Sequence, residues 1–252
     1  MPEEIIPQSA STEMSFSDKF VGILSSPGEV YQSITTTEAK TSNWAIPLVL
    51  AIVISLIFTF VVFTQPAIQD QMKETQYKAM QERVAEGKMT QEQMDRAMEF
   101  SQPGSPMFLI FGSVGVIVVL AVALFAYALV YWLIGKIAFK SAVGYTKVLE
   151  VNGLALYITA IATILTMIMV VAMGSIHATP SGTLFLSNFD PQNKLHRLLG
   201  AVNILDFWVL FVTGVGLSKV WNVSLGKSLG AVGVVWVIWT AIKVFVGFGA
   251  GM

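Results

Sequence analysis

Residues 44–64, WAIPLVLAIVISLIFTFVVFT, and residues 107–134, MFLIFGSVGVIVVLAVALFAYALVYWLI, contain no charged side chain. A helix needs about 20 largely apolar residues to cross the hydrocarbon core of a bilayer. Both stretches are long enough, and so are three later stretches, at about residues 151–173, 198–217 and 229–248. The sequence therefore predicts the fold class, an all-α, polytopic integral membrane protein with five transmembrane helices.

The composition of the whole chain agrees with this assignment. Of the 252 residues, 54% are hydrophobic and only 12% are charged, whereas about 25% of an average soluble domain is charged. This composition excludes a water-soluble globular enzyme. A formal net charge of −1 removes the electrostatic attraction that nucleic-acid binding needs, so no nucleic-acid partner is expected. The absence of cysteine excludes disulfides, thiolate metal ligands and cysteine nucleophiles.

The first 43 residues differ from the rest of the chain because they precede the first long apolar run. We expect residues 1–43 to form a cytoplasmic N-terminal segment with short amphipathic helices, and residues 44–252 to form the five-span membrane domain. Ser15 begins one capping pattern and Ser26, followed by proline, begins another. The first of these helices carries an apolar stripe, which would either lie in the membrane interface or pack on the ends of the spans. The stripe consists of Phe16, Phe20, Ile23 and Leu24.

The longest polar insertion, residues 65–102, alternates acidic and basic side chains and is predicted to form an outer helical hairpin, with Gly87 ending one helix and Thr90 capping the next. Five of the twelve methionines fall in this insertion, and thioether sulfur can bind Cu(I). No His or Cys accompanies them, and methionine is also an adaptable packing side chain. His177 and His196 stand 19 residues apart with no evident third ligand. We therefore expect no metal site and no cofactor.

The distribution of lysine and arginine bears on the orientation of the chain. A cytoplasmic N-terminus would place seven of these residues on each side of the membrane, which is a tie. Short loops weigh more than long ones in the positive-inside rule. Three lysines lie in the short stretch from Lys136 to Lys147, and two more flank the turn between Lys219 and Lys227. The charges thus favour a cytoplasmic N-terminus and an outside C-terminus in a multi-pass protein of the cell membrane.

Three polar residues lie inside the predicted fourth and fifth spans, namely Asn203, Asp206 and Lys243. An ionisable side chain at the bilayer centre costs roughly 2.5–3.5 kcal/mol on insertion scales. Counted from Lys219 and Lys227 in the turn between these spans, Asp206 and Lys243 lie about 20 Å and about 24 Å into the membrane. We therefore expect an intramembrane polar site. Three arrangements remain open: a direct ion pair, separate solvation with Lys243 reaching outward, or a site that couples transport.

The remaining motifs carry no catalytic signal. Glu150 and Asn152 sit at the mouth of the third span, after Lys147, and are interpreted as marking a helix end. The chain contains no G-x-x-x-x-G-K-[ST] nucleotide-binding loop and no H-E-x-x-H zinc motif. The two halves also lack the inverted repeat that many secondary transporters use. The sequence therefore predicts no catalytic residue, and the protein is not expected to be an enzyme.

Several segments together resemble a known family. The segment FVGILSSPGEVYQSI (residues 20–34) is followed by Trp44-Ala45-Ile46-Pro47-Leu48, by Lys147-Val148-Leu149 at the start of a span, by NILDFWVLFVTGVGLSKVW (residues 203–221), and by a last span that contains Trp236. This arrangement resembles the Yip domain family, which consists of five-span membrane proteins named for interacting with Rab-type GTPases. The resemblance covers about residues 16–248 and is greatest to bacterial and archaeal members.

The resemblance implies a cytoplasmic N-terminus and a non-enzymatic role in membrane organisation, scaffolding or protein–protein interaction in the bilayer. The implied partners are the lipid bilayer, further copies of the chain in a homo-oligomer, and other membrane proteins. Eukaryotic relatives also engage Rab proteins, but this chain lacks the Asp-Leu-Tyr-Gly-Pro motif and the long acidic tail, so a GTPase partner is not predicted. The alternative function is a small transporter or channel subunit that uses a polar crevice around Asp206.

Overall fold

The computed structural model describes residues 14–186, 189–190 and 192–246. Five of its helices are long and apolar enough to cross a membrane, which confirms the predicted all-α fold class with five spans. Within the described ranges, the only β-structure is a single bridge between Ser181 and Asn203. The α-helices are α1 (Phe16–Ser25), α2 (Pro27–Thr35), α3 (Ser42–Phe63), α4 (Pro66–Ala85), α5 (Gln91–Phe100), α6 (Pro106–Ala138), α7 (Tyr145–Met173), α8 (Lys194–Ala201), α9 (Ile204–Trp221) and α10 (Leu225–Val246), with a short 3₁₀ helix at Gly182–Phe185.

The five spans α3, α6, α7, α9 and α10 alternate in direction, so α3, α7 and α10 begin at the end of the bundle where α6 and α9 finish. We call this the Glu150 end, because the Glu150 side chain lies buried there near the start of α7. The opposite end is called the hairpin end, since α4 and α5 form the helical hairpin there. Span α7 is central and packs against α3, α6 and α9, while α10 packs against α9.

Helices α1 and α2 pack against the membrane-spanning helices at the Glu150 end. The ring of Phe20 meets the ring of Tyr157 in α7 edge-on, with 5.2 Å between centroids. Phe16, at the start of the predicted stripe, remains 47% exposed. The stripe therefore packs against the spans in part, and its first residue remains exposed. The buried region extends from α1 into α2. The buried apolar side chains of the two helices are Ile23, Val30, Tyr31 and Ile34, and Lys19 is buried beside them.

Two glycines allow close contacts between helices at this end. A Cβ atom on Gly153 of α7 would lie 2.3 Å from the Cα of Trp44 in α3. A Cβ atom on Gly216 of α9 would lie 2.5 Å from a methyl group of Val151 and 2.8 Å from the ring of Tyr31. Because real Cβ atoms do not approach neighbours this closely, larger side chains at these positions would push the helices apart.

The predicted helix boundaries in the polar segments are largely present. Thr90 and Gln93 form a reciprocal capping box at the start of α5, and Gly87 has a φ of 70° in the turn after α4. Ser15 and Asp18 form the capping box of α1, and the hydrogen bonds from Ser15 lower the pKa of the Asp18 carboxyl. Ser26 precedes α2 as predicted, but its side chain makes no capping hydrogen bond.

The fourth span begins later than the sequence predicts. The predicted span covered residues 198–217, whereas the structure contains two helices, α8, which ends at Ala201, and α9, which begins at Ile204. The helix is interrupted between them, because the Asn203 side chain accepts a hydrogen bond from the backbone N–H of Leu205, at 2.9 Å, and so caps α9. The third span begins six residues earlier than predicted, at Tyr145. The predicted end of the fifth span, Phe248, lies outside the described residues.

Span α6 is the least covered by protein. Its first half, up to Val122, contributes no buried residue to the described structure. Val114 and Val118 in that half are each 53% exposed. These side chains therefore contact the lipid bilayer. The buried residues of α6 form one stripe in its second half and are Leu124, Ala128, Tyr131 and Gly135.

Candidate functional site: a buried carboxylate cluster

The Glu150 carboxylate is the centre of a polar cluster at the Glu150 end. Its side chain is fully buried. One carboxylate oxygen, Oε1, accepts a hydrogen bond from the backbone N–H of Lys40 at 2.6 Å and another from the Asn43 amide at 2.7 Å. The other oxygen, Oε2, lies 2.5 Å from the Lys147 ammonium. The carboxylate thereby connects α7 with the chain segment that leads into α3.

Lys147 extends this cluster to the end of α2. Its ammonium donates hydrogen bonds to the backbone carbonyl of Ile34 at 2.9 Å and to that of Thr37 at 3.0 Å. Helix α2 ends at Thr35, and its last carbonyl groups have no partner within the helix. The lysine therefore neutralises the buried carboxylate and also caps the end of α2.

Asn43 and Tyr31 connect the two N-terminal helices to the same region. The Asn43 carbonyl oxygen accepts a hydrogen bond from the Lys19 ammonium of α1 at 2.9 Å. The hydroxyl of Tyr31 in α2 donates to the backbone carbonyl of Val151 in α7 at 3.1 Å. The Tyr31 side chain is fully buried, and burial raises the pKa of its hydroxyl. We use the name Glu150 cluster for Lys19, Asn43, Lys147 and Glu150 together.

The Glu150 cluster has a structural role. A charge buried without a partner is strongly destabilising, whereas a paired and hydrogen-bonded charge is tolerated. Both Glu150 oxygens contact donors, and those donors belong to α3, α7 and the segment that joins α2 to α3. The cluster therefore holds α1 and α2 on the bundle, with Oε1 of Glu150 hydrogen-bonded twice and Oε2 partnered by the Lys147 ammonium alone, without a hydrogen bond in the described structure.

The structure corrects the interpretation of Glu150 as a helix-end residue, because α7 begins at Tyr145 and Glu150 lies within its second turn. One signal was present in the sequence, since Lys147 and Glu150 are three residues apart and such residues are neighbours on one helix face. The contributions of Lys19 and Asn43 had no such signal, because they come from parts of the chain more than 100 residues away.

The predicted polar site at Asn203, Asp206 and Lys243 lies at the hairpin end. Asn203 caps α9, and Asp206 follows in the first turn of that helix, where the helix dipole stabilises a carboxylate. Asp206 and Lys243 are both described and both partly buried, but no ion pair within 4.0 Å joins them. Of the three arrangements considered, the direct ion pair is therefore not observed in this structure.

The register of α9 against α10 explains this separation. Ser228 donates a hydrogen bond to the carbonyl of Gly214 at 2.6 Å, and the rings of Phe207 and Trp236 lie 5.2 Å apart. These two contacts place Asp206 level with about residue 237 of α10. Lys243 lies six residues further on, which is about 9 Å at 1.5 Å per residue. The predicted depths assumed that Lys219 and Lys227 are level, whereas the same register offsets these two lysines along the helix axes.

Two side chains of α10 near Asp206 have buried polar atoms without a hydrogen-bond partner. These atoms are the hydroxyl of Thr240 and the indole nitrogen of Trp236, both within the described part of α10. Thr240 is 6% exposed and lies level with about Asn203 in the same register. The two unpartnered polar atoms thus belong to residues at about the height of Asn203 and Asp206.

The expectation that the chain contains no G-x-S-x-G match is wrong for one segment, which has a packing role in the structure. Residues 226–230, GKSLG, have the spacing of a G-x-S-x-G nucleophile motif. Ser228 is fully buried, and its hydroxyl donates to Gly214 in the neighbouring span. The motif also lies at the start of a helix rather than at a turn between a strand and a helix. Ser228 therefore fastens α10 to α9 and is not placed as a nucleophile.

The two histidines are 19 residues apart in the sequence, but in the structure both lie beside the same aromatic ring. The rings of His177 and His196 both contact the Phe189 ring, with 4.3 Å and 6.1 Å between centroids. Burial lowers the pKa of His177. Within the residues that the structure describes, no group of three or more His, Asp or Glu side chains could hold a metal ion. Of the hairpin methionines, Met72 and Met94 are buried, as packing side chains are.

Comparison with known proteins identifies the family. The family model described as Yip1 domain matches residues 21–247, which is most of the chain. No curated protein and no solved structure matches the chain. The match includes α2, the Glu150 cluster apart from Lys19, and the five spans. The chain therefore belongs to the Yip1 domain family of membrane proteins.

Proposed function

We propose that this protein is a non-enzymatic organiser of the membrane that acts through its helices, as a scaffold for further copies or for other membrane proteins. The Glu150 cluster carries the proposal, because the one fully buried carboxylate of the described chain serves to fix α1 and α2 on the bundle. These two helices thereby become a fixed surface at one face of the membrane. Membership of the Yip1 domain family supports a role of this class.

Lateral association would use α6. Among the described residues, its first half contributes none that is buried, and no neighbouring atom lies within 4 Å of the position that a Cβ atom on Gly115 would take. Small residues on an apolar face let a second helix approach closely in the bilayer. We therefore assign α6 to the contact with a second copy or another membrane protein, while lipid covers it in the monomer.

Cysteine cross-linking in native membranes tests this function. The chain has no cysteine, so each introduced cysteine is unique. A Val118→Cys variant places the thiol on the exposed side of α6, and an Ala128→Cys variant places it where the side chain is fully buried. We expect a cross-linked dimer or a cross-linked partner for Val118→Cys and none for Ala128→Cys. Failure of cysteines at positions 114, 118 and 122 to cross-link would contradict the proposal.

The alternative function is a small transporter or channel subunit that uses the crevice around Asp206. It is favoured by a partly buried carboxylate without an ion pair to Lys243, beside the unpartnered hydroxyl of Thr240 in the described part of α10. Flux across proteoliposomes distinguishes this alternative from a scaffold. A substrate or ion flux that disappears in Asp206→Asn but persists in Asp95→Asn, a change on the exposed hairpin, would favour transport.

The orientation is part of the same proposal. We assign the Glu150 end to the cytoplasm and the hairpin end to the outside of the cell membrane, which fits the lysines near the ends of α6 and α9. Single cysteines at Lys88, in the hairpin turn, and at Lys140, after α6, test this. A membrane-impermeant thiol reagent is expected to label Lys88→Cys in intact cells and Lys140→Cys only after permeabilisation. The reverse pattern would overturn the assignment.

A further inference from the structure

Helix α8 has three distinct sides at the hairpin end. One side packs on the preceding loop, where Leu199 contacts Gly182 and His196 contacts the ring of Phe189. A second side is apolar and uncovered. A third side carries two basic residues, Lys194 and Arg197. An amphipathic helix with such sides is the form that lies in the plane of a membrane interface.

The apolar side of α8 is exposed. Leu195 is 60% exposed, Leu198 is 44% exposed, and Val202, just beyond the helix, is 38% exposed. Helix α9 enters the membrane directly after α8, and its first residue, Ile204, is 68% exposed. Exposed apolar side chains therefore lie on both sides of Asn203, from α8 to the first residue of a membrane span. Lipid is the occupant that covers both.

The basic side of α8 lies beside α10 and lacks anionic partners among the described residues. The Lys194 ammonium lies 5.9 Å from the centroid of the Phe245 ring near the end of α10. In the described part of the chain, neither Lys194 nor Arg197 has a carboxylate within 4.0 Å. The Nε atom of Arg197 is buried without a partner there, and its Nη2 reaches only the carbonyl of Gln192, at 3.5 Å.

We propose that α8 binds the phosphate of an anionic phospholipid through Lys194 and Arg197, with the lipid tails against Leu195 and Leu198. The charges and the geometry both support an anionic lipid. A guanidinium and an ammonium three residues apart on one helix face match a phosphate, and two uncompensated cations favour a headgroup with a net negative charge. The site lies at the hairpin end and is independent of the Glu150 cluster and of the proposed scaffold function.

Quenching of a probe on α8 by brominated lipids tests the proposal. A Leu198→Cys variant, labelled with a fluorophore at its only thiol, is reconstituted into nanodiscs that contain brominated phosphatidylglycerol or brominated phosphatidylcholine at equal mole fraction. We expect phosphatidylglycerol to quench the probe about two-fold more strongly, because each basic residue near the surface attracts anionic lipid. In the background Lys194→Gln/Arg197→Gln the ratio is expected to fall to about one.

Two controls separate the site from general effects. Lys194→Arg/Arg197→Lys conserves the charges and is expected to retain the preference. Lys78→Gln/Lys88→Gln removes the same charge from the exposed hairpin and is expected to leave the ratio unchanged. Equal quenching by the two lipids in the parent protein, or a preference that survives in Lys194→Gln/Arg197→Gln, would overturn the proposal. Absence of quenching by either lipid would show that α8 lies outside the bilayer and would overturn it as well.

Discussion

Each end of the bundle contains one carboxylate of the membrane-spanning helices, and the two carboxylates differ in their burial and in their partners. At the Glu150 end, the carboxylate is fully buried and contacts two hydrogen-bond donors and an ammonium from separate parts of the chain. At the hairpin end, Asp206 is only partly buried and has no ion pair with Lys243. Of these two carboxylates, the one with several partners is therefore the one that is fully buried. Those partners are present at the end of the bundle where α1 and α2 cover the spans.

The largest effect is expected from removing the better-partnered carboxylate. Glu150→Ala leaves the buried Asn43 amide without its acceptor and the largely buried Lys147 ammonium without its counter-ion. Loss of one member of a buried ion pair costs about 3–5 kcal/mol. Unfolding in detergent, followed by denaturant or heat, measures this loss. Glu92→Ala, which removes an exposed carboxylate that pairs with Arg96 on the hairpin, is the control and is expected to cost less than about 1 kcal/mol. Equal losses would contradict the difference between the ends.

The close helix contacts at the Glu150 end predict the next largest effect. Gly153→Ala introduces a Cβ atom against the backbone of Trp44, and overpacking of this kind costs about 1–3 kcal/mol. Gly230→Ala in α10 is the matched control, because no described neighbour lies within 4 Å of the added atom there. A glycine-to-alanine change inside an uncrowded helix is expected to stabilise by about 0.5–1 kcal/mol. Unfolding in detergent thus gives opposite signs, and a stabilising Gly153→Ala would contradict the packing described.

Double-mutant cycles sharpen the comparison of the two charge pairs. The cycle of Lys147→Gln with Glu150→Gln is expected to show a coupling energy of about 1–3 kcal/mol, since the two groups are in contact. The cycle of Asp206→Asn with Lys243→Gln is expected to be additive within about 0.5 kcal/mol, because the register separates these residues. A coupling of similar size in both cycles would mean that Asp206 and Lys243 pair in the membrane after all.

The smallest effect concerns pH and the loop at the hairpin end. Burial lowers the pKa of His177, so the unfolded chain binds this proton more readily than the native state does. The corresponding stability is present above the unfolded-state pKa, about 6.5, and is lost as the pH falls from there through the lower folded-state pKa. Thermal unfolding of the parent and of His177→Asn between about pH 5 and pH 8 measures the difference. The variant is expected to lose less stability at the acidic side, and an unchanged pH profile would contradict this.

The spans were predictable because their signal is local. A run of about twenty apolar side chains is visible without any knowledge of what they contact, and capping residues such as Ser15 and Thr90 act on the next three residues. The start of α9 was misplaced because Asn203 has two possible roles, as a polar residue inside a span or as a cap before one. The local sequence around Asn203 does not distinguish them, and the structure shows the cap.

The Glu150 cluster was not predictable for the opposite reason. Its members Asn43 and Glu150 are separated by 107 residues, and no periodicity in the sequence links them. The same holds for Asp206 and Lys243, whose relative heights depend on the register between two helices. That register is determined by contacts such as Ser228 with Gly214, which become visible only when the helices are packed. Lys147, Glu150, Asp206 and Lys243 could therefore be singled out in the sequence, whereas Lys19, Asn43 and the distances between the side chains could not.

The unequal lengths of the spans have a consequence for the membrane around the protein. Helix α6 has 33 residues and is about 50 Å long, whereas α9 has 18 residues and is about 27 Å long. The hydrocarbon core of an average bilayer is about 30 Å thick. Either the bilayer beside α6 must thicken or α6 must tilt, whereas α9 is barely long enough to cross the hydrocarbon core. With α6 upright, the bilayer would therefore be thicker beside α6 than beside α9, and thick and thin membrane regions would meet around the protein.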